Sequence, residues 1–492
     1  MSFVLQDSLR RGRASGIATE DHPGRLPYSA ESILDLGYAR FVGFAFRRSH
    51  MKMAGGPIPA IASVAASSAE HTRRQIALRL LPFVFLLYIT NYLDRTSVAY
   101  AAIGMARDLG FNDHVLGMGI GIFFVSYVAL QIPGALLVER WSARGMICAT
   151  MTVWGSLTAL TALVHTPGQL YVARFLLGAA EAGFFPGVIV YLSHWFIQED
   201  RAKATSNFMV AIPVSLIIAS PVAGWILSHN WFAIEGWRWL FFLEGIPAIL
   251  LGIVAFCFLT DRPNQARWLT AEQRQSISRK LEQEKPLSRQ SIGIGQALRS
   301  RTVLLLTTAA FLQYFIGYSV IFWLPTILKN RSGLSDAQVG LLGAVPYVVA
   351  LFAMLFNGWH SDRNRERRWH AAAPLLIAAT GLLCLISLPS SNVMSVLLLS
   401  VICMAMAFLP VFWAIPTEIL SDSKAAVAVG TINALASLAG FAGPYAFGYL
   451  RAETGSFVAG FVVLMFCALA AGILMLLIPV AQSRGPRSVT SS

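Results

Sequence analysis

Long apolar runs, interrupted by short polar ones, make up most of this chain of 492 residues. A helix needs about 20 predominantly apolar residues to cross about 30 Å of hydrocarbon, and runs of that length recur along the sequence. They lie at 77–101, 115–138, 145–165, 171–193, 204–228, 238–260, 303–328, 337–360, 371–390, 393–416, 426–450 and 456–480. The pattern predicts an all-α membrane protein with twelve transmembrane helices, six on either side of a polar segment at 261–302.

Composition agrees with the pattern. Hydrophobic residues make up 56% and charged residues 13%, where a soluble domain carries about 25% charged residues. A formal charge of +13 would suggest a nucleic-acid partner in a soluble protein, but here the basic residues sort by loop. Residues 261–302 hold nine Lys and Arg and 361–370 hold four, whereas 102–114 holds only Arg107, 329–336 holds Lys329 and Arg331, and 166–170 and 391–392 hold none. Short cytoplasmic loops collect these residues, so both termini and the central segment are expected in the cytoplasm and the protein in the cell (inner) membrane. Nucleic acid is not an expected partner; the basic loops suit anionic lipid headgroups. The five cysteines (Cys148, Cys257, Cys384, Cys403, Cys467) fall inside predicted spans, where they act as small apolar residues and predict no disulfide framework.

The expected organisation is a tail at 1–73, a first bundle at 74–260, a linker at 261–302, a second bundle at 303–481 and a tail at 482–492. The first tail is Arg-rich and lacks a sustained apolar core with a cleavage site, so it is not a secretory signal. It reads as disordered, or as an extension preceding a true start at Met51 or Met53. In the linker, Thr270-Ala-Glu-Gln273 has the form of a capping box opening a polar helix to about Glu284.

One pattern occurs twice. Pro133-Gly-Ala-Leu-Leu-Val-Glu-Arg140-Trp-Ser-Ala-Arg144 and Asn357-Gly-Trp-His-Ser-Asp-Arg363-Asn-Arg365, with Arg367 and Arg368 following, each sit at the cytoplasmic end of the second span of their half. Matched acids and bases at matched positions indicate two parallel six-helix repeats. Glu139, Arg140, Arg144, Asp362 and Arg363 are the candidate cytoplasmic gate.

Charges inside the apolar runs are the candidate chemistry, because each costs about 2.5–3.5 kcal/mol at a membrane-helix centre. Arg174 and Glu181 lie seven residues apart in span 4, which puts both on one face about 10.5 Å apart along the axis. Side chains lean toward the helix N-terminus, so Glu181 tips toward Arg174, and two arrangements are open: the two meet when the acid is ionised, or separate when it is protonated. The bland alternative for Arg174 is a side chain snorkelling to the outer interface; Glu181, mid-span, has no such route. Asp94 and Arg95 of span 1 point about 100° apart and need separate partners; their bland alternative is an interfacial pair. Ala179, Gly183 and Gly187 form a small-residue stripe that favours helix packing, and Pro186, Pro213 and Pro221 are expected to bend spans 4 and 5. Tyr127, Gln313, Tyr314, Trp413 and Asn433 add hydrogen-bonding groups and an aromatic wall of the kind a small carboxylate needs.

Several motifs together resemble the major facilitator superfamily, and within it the anion:cation symporters of the tartrate and phthalate type, over about residues 77–480. They are Leu80-Leu-Pro-Phe with Tyr88, Tyr92-Leu-Asp-Arg95, Gln131-Ile-Pro-Gly134, Ala173-Arg-Phe-Leu-Leu-Gly178, Glu181-Ala-Gly-Phe-Phe-Pro-Gly187, Asp261-Arg-Pro, Trp268-Leu-Thr, Phe322-Trp-Leu-Pro325 and Ser361-Asp-Arg363. The resemblance implies the major facilitator fold, alternating access by rocking bundles, and uptake of a small organic anion with protons. It implies proton sites at Asp94 and Glu181, anion contacts at Arg95 and Arg174, and substrate contacts at Tyr127, Trp413 and Asn433. Ser142 departs from the glycine usual in its turn. Pro410, Phe412 and Ala211-Ile-Pro213 stand where sugar-acid carriers are polar, so the expected cargo is a hydroxy-dicarboxylate or an aromatic carboxylate.

The expected function is therefore proton symport of an organic anion by a monomer without cofactor or metal, and not an enzyme: no metal-ligand spacing such as His-Glu-x-x-His occurs. Two rivals remain at this point. Drug/proton antiport is suggested by Ser220-Pro-Val-Ala-Gly224, a loose antiporter motif, and a non-transporting nutrient sensor would keep the binding residues without the coupling.

Overall fold

The computed structural model describes residues 60–284, 300–388, 391–419 and 422–478. The chain divides into Met1–Pro57 and Ile58–Ser492; the first unit, and with it most of the expected tail, lies outside the described residues.

Every predicted span is occupied by helix. The first half contains α1 (Ala60–Leu109), α2 (Asp113–Arg140), α3 (Ala143–Thr161), α4 (Pro167–Glu181), α5 (Phe184–Trp195), α6 (Gln198–Met209), α7 (Ala211–Leu227) and α8 (Gly236–Phe258). After α9 (Ala271–Gln283), the second half contains α10 (Arg301–Ser332), α11 (Asp336–Asn364), α12 (Arg368–Ser387), α13 (Asn392–Cys403), α14 (Phe408–Ile419), α15 (Asp422–Ser437), α16 (Ala439–Thr454) and α17 (Val458–Leu477). Among the described residues, nine helical segments are long and apolar enough to cross a membrane. The helix α3 and the broken pairs α6–α7 and α15–α16 fill the other three positions, which completes the twelve-helix arrangement.

Helix ends follow local chemistry. The side chains of Thr270, Thr166 and Ser335 each accept from a backbone N–H three residues on, and Gln273, Gln169 and Gln338 bond back to the cap, satisfying donors that the first helical turn leaves free. The first helix starts at Ala60, inside the segment assigned to the tail, so that boundary moves toward the N-terminus. Span 4 is interrupted at Ala182–Gly183, and Pro186 stands in the first turn of α5, where a missing N–H costs nothing. Span 5 breaks at Val210, just ahead of Pro213, while Pro221 is carried inside α7.

Two aromatic clusters mark opposite ends of the molecule, as expected of rings that settle at membrane interfaces. Trp225, Trp231, Phe232 and Trp239 gather near the α7–α8 connection. At the other end Trp141, Trp359 and Trp369 are exposed.

Among the described residues, the backbones of the two halves approach each other at the end carrying the connections at 110–112, 228–235, 333–335 and 455–457. A Cβ built on Gly224 of α7 would lie 2.6 Å from the Cα of Gly340 of α11, a distance that no real side chain tolerates. The Ser220 hydroxyl donates to the Gly340 carbonyl oxygen at 2.6 Å. Ser220-Pro-Val-Ala-Gly224 thus serves as a packing seam between halves. Gly117 and Gly448 approach in the same way on α2 and α16, and Arg451–Asp113 at 2.7 Å and Arg107–Asp336 at 3.7 Å cross the boundary as ion pairs.

Candidate functional site

Six residues of spans 1, 2 and 4 form one buried cluster. Arg95 is 5% exposed and Glu181 fully buried. The guanidinium donates to Glu181 Oε2 from Nη2 at 2.6 Å and from Nε at 3.2 Å, and Asn91 Nδ2 donates to the same oxygen at 2.9 Å. Around it, the Arg95 guanidinium carbon lies 4.9 Å from the Tyr127 ring centre, 5.2 Å from that of Tyr92 and 5.4 Å from that of Phe123. These rings supply cation–π attraction where water is scarce. The pair therefore holds a cation and an acid in apolar surroundings, joined through Glu181 Oε2, while Oε1 is left without a hydrogen-bond partner.

Arg174 does not complete the pair expected from its spacing to Glu181. It donates only a long bond, Nε to the Gly119 carbonyl oxygen at 3.4 Å, while Nη1 and Nη2 have no hydrogen-bond partner. The correction is geometric. Glu181 is the last residue of α4, and Arg95 of α1 approaches it more closely than a residue two turns back can. Arg174 is fully buried and stacks against Phe123 at 4.8 Å, so the snorkelling alternative fails. Phe123 is thereby a shared wall between both guanidiniums.

Asp94 is also fully buried, which rules out an interfacial Asp94-Arg95. It lies in the electrostatic fields of Glu181, Arg174 and Arg95 with Thr158 of span 3 beside it, and neither carboxylate oxygen has a hydrogen-bond partner. An unpaired buried acid beside an unpaired buried base is costly to keep, and such groups inside a membrane helix are candidates for function.

The second half contributes aromatic residues. Tyr318 packs on Phe124 at 4.6 Å and lies edge-on to Tyr314 at 5.8 Å. Both phenols face Tyr92 and Tyr127 of the first half, and Tyr314 lies beside Trp413. Gln313 is not brought to this cluster; its side chain borders a small void with Ile316, Val320, Ile402, Cys403 and Met406 within the second half. Asn433 is half-buried on α15, where its carbonyl oxygen accepts from the Ser437 hydroxyl, and no contact ties its side chain to the arginines. Sequence reasoning missed Asn91, Tyr92, Phe123, Tyr318 and Glu244. The last is 6% exposed and was legible by the rule applied to Glu181, an acid inside an apolar span.

The gate residues are spread out. Arg144 pairs with Asp261 at 3.4 Å, and Ser142 both caps α3 and donates to Asp261 Oδ2 at 2.7 Å; this gives the unusual serine a bond that glycine lacks. Asp362 accepts from Arg367 at 2.6 Å, and Arg367 also reaches Glu418 at 2.7 Å, so Arg367 is the hub of the second-half motif. Arg363 lies over Trp359. The side chains of Glu139 and Arg140 lie outside the described residues.

Comparisons with known proteins agree with the twelve-helix fold. The family model described as Major Facilitator Superfamily matches residues 84–444. A protein of Agrobacterium vitis named as a tartrate transporter is 37% identical over 421 residues, which cover 85% of this chain and 94% of that protein. The Quinolone resistance transporter of Acinetobacter baumannii is 34% identical over 392 residues, covering 79% and 90%. A crystal structure of a bacterial homolog of the human lysosomal transporter Spinster shares the fold, with a TM-score of 0.66 at 19% identity over 81% of this chain and 94% of that one.

Proposed function

Because the chain belongs to the Major Facilitator Superfamily and is a multi-pass membrane transporter, we propose that it imports a small organic anion together with protons by alternating access. The cargo is a hydroxy-dicarboxylate or an aromatic carboxylate. The observation that carries this reading is the buried Arg95–Glu181 pair beside a second guanidinium, Arg174, whose terminal nitrogens have no partner. Protonating Glu181 removes the charge that neutralises Arg95, and both arginines then attract an anion. The anion in turn holds the proton in place, since linkage is reciprocal. Asp94 acts as a second proton site next to Arg174, and Tyr127, Tyr314 and Trp413 form the pocket wall. The seam at Gly224–Gly340 closes the outer end, so this conformation faces inward.

The test is uptake of labelled tartrate by proteoliposomes with and without an inward proton gradient. The reading expects accumulation that the gradient drives and that Glu181→Gln abolishes; uptake indifferent to the gradient overturns it. Likeness to the Acinetobacter protein favours one second reading, proton-coupled drug export. Quinolones carry a carboxylate, so the same arginines suit either cargo, and export from everted vesicles separates the two.

A further inference from the structure

A third acid lies within the first half, outside the cluster described above. Glu244 sits mid-span on α8, and both its carboxylate oxygens lack a hydrogen-bond partner. Its neighbours are specific. Asp94 of α1 acts on it electrostatically and the Ser97 side chain lies alongside; Tyr100 of α1 also feels its charge. Asp94, Ser97 and Tyr100 fall on one face of α1 at spacings of three residues, a ladder about 9 Å long. The titratable groups that face Glu244 are thus Asp94 and Tyr100. From the other helices packed against α8, α3 offers Thr158 beside Asp94, and α7 offers Ser220 beside Tyr100.

Ser220 is the residue whose hydroxyl closes the seam to Gly340. Tyr347, buried on α11 across that seam, feels Tyr100 in turn. Buried polar side chains that act on one another electrostatically therefore extend from Asp94 through Glu244 and Tyr100 toward the contact between the halves.

We infer that Glu244 is a third proton-carrying carboxylate, which exchanges a proton with Asp94 and ties the charge of that pair to the seam between the halves. The inference rests on the proton-coupled reading above. In the transfer, the O–H bond on Glu244 breaks as one forms on an Asp94 oxygen, and the charge of the pair stays at one negative unit; the Ser97 hydroxyl is engaged elsewhere, donating to the Asp94 backbone carbonyl at 2.6 Å. Two ionised acids in each other's field in apolar surroundings repel, so one proton held between the two is the stable arrangement.

The experiment uses the full chain in lipid, with two readouts. By infrared difference spectroscopy without any anion, the wild type should lose protonated-carboxyl signal as pH rises, and Glu244→Gln should remove one band. Asp94→Asn should move the remaining Glu244 band to a lower midpoint, because the neighbouring negative charge is gone. In proteoliposomes with labelled tartrate, Glu244→Gln should lose gradient-driven accumulation, keep exchange of external for internal tartrate, and be rescued by Glu244→Asp. Wild-type uptake that ignores the gradient defeats the proton-coupled reading and this inference with it. Wild-type coupling with an unchanged Glu244→Gln protein defeats this inference alone. If Glu244→Gln does not fold, an Asp94→Asn protein with unshifted carboxyl midpoints overturns it equally.

Discussion

Replacing Glu181 with Gln separates the two roles of the central ion pair. At 2.6 Å and an effective dielectric near 20, the attraction between Arg95 and Glu181 is about 6 kcal/mol, which bounds what an incoming carboxylate must offset to draw Arg95 away. Glutamine keeps an amide oxygen for Arg95 and Asn91 but carries no charge. Removing one partner of a buried pair costs about 3–5 kcal/mol, and the retained hydrogen bonds put the expected loss of stability near the lower end. Binding should respond in the opposite sense. If one proton is linked to one anion, wild-type affinity falls as pH rises, by at most about tenfold per pH unit, whereas the variant should bind a carboxylate with little pH dependence. Calorimetric titration of purified protein with tartrate, from acid to alkaline buffer, reads the slope; thermal denaturation reads the stability. A variant whose affinity keeps the wild-type slope would refute Glu181 as the linked group.

Arg174→Lys should fold but bind tartrate at least about tenfold more weakly, since an ammonium cannot stack on Phe123 or present a planar fork of donors; unchanged affinity in calorimetry would remove Arg174 from the site. Gly340→Val puts side-chain atoms where Gly224 Cα already lies, so the seam should open, and a cysteine placed at Ser220 should react faster with an impermeant maleimide than it does in the Gly340 protein. At the α11–α12 turn, partial burial alone would raise the Glu366 pKa, but backbone N–H groups of Trp369 and His370 and the His370 ring outweigh it and leave it lowered. A lowered carboxyl stabilises the fold above its unfolded pKa and loses that contribution as pH falls through its folded one. Glu366→Ala should therefore lower the melting temperature at neutral pH and converge with wild type in acid.

The helices were legible because a membrane demands a long apolar run for each crossing, and capping boxes such as Thr270–Gln273 are local in sequence. Glu181 was legible for the same reason in reverse, as an acid too deep for any interface. Its partner was not. Periodicity fixes which residues share a face within one helix, so it paired Glu181 with Arg174 two turns away, whereas Arg95 arrives from another helix by packing. Gln313 shows the same limit: its polarity was visible in the sequence, but its direction depends on how α10 rotates against α13. Glu244 carried a readable signal, since Leu243-Glu-Gly245 breaks an apolar span as Glu181 does, and its relation to Asp94 appears only once α1 and α8 are packed together.

The ion pairs at the two ends differ in kind. Arg451–Asp113 and Arg107–Asp336 join one half to the other, while Arg144–Asp261 and Arg367–Glu418 each stay within a half. In the alternating access proposed above, only the first kind must break, and its members are partly exposed, where dissolved ions screen them. On that reading, raising the ionic strength at the sealed end should loosen this state, and salt at the opposite end should leave the balance alone. The fastening between the halves would then answer to electrolyte from one face of the membrane.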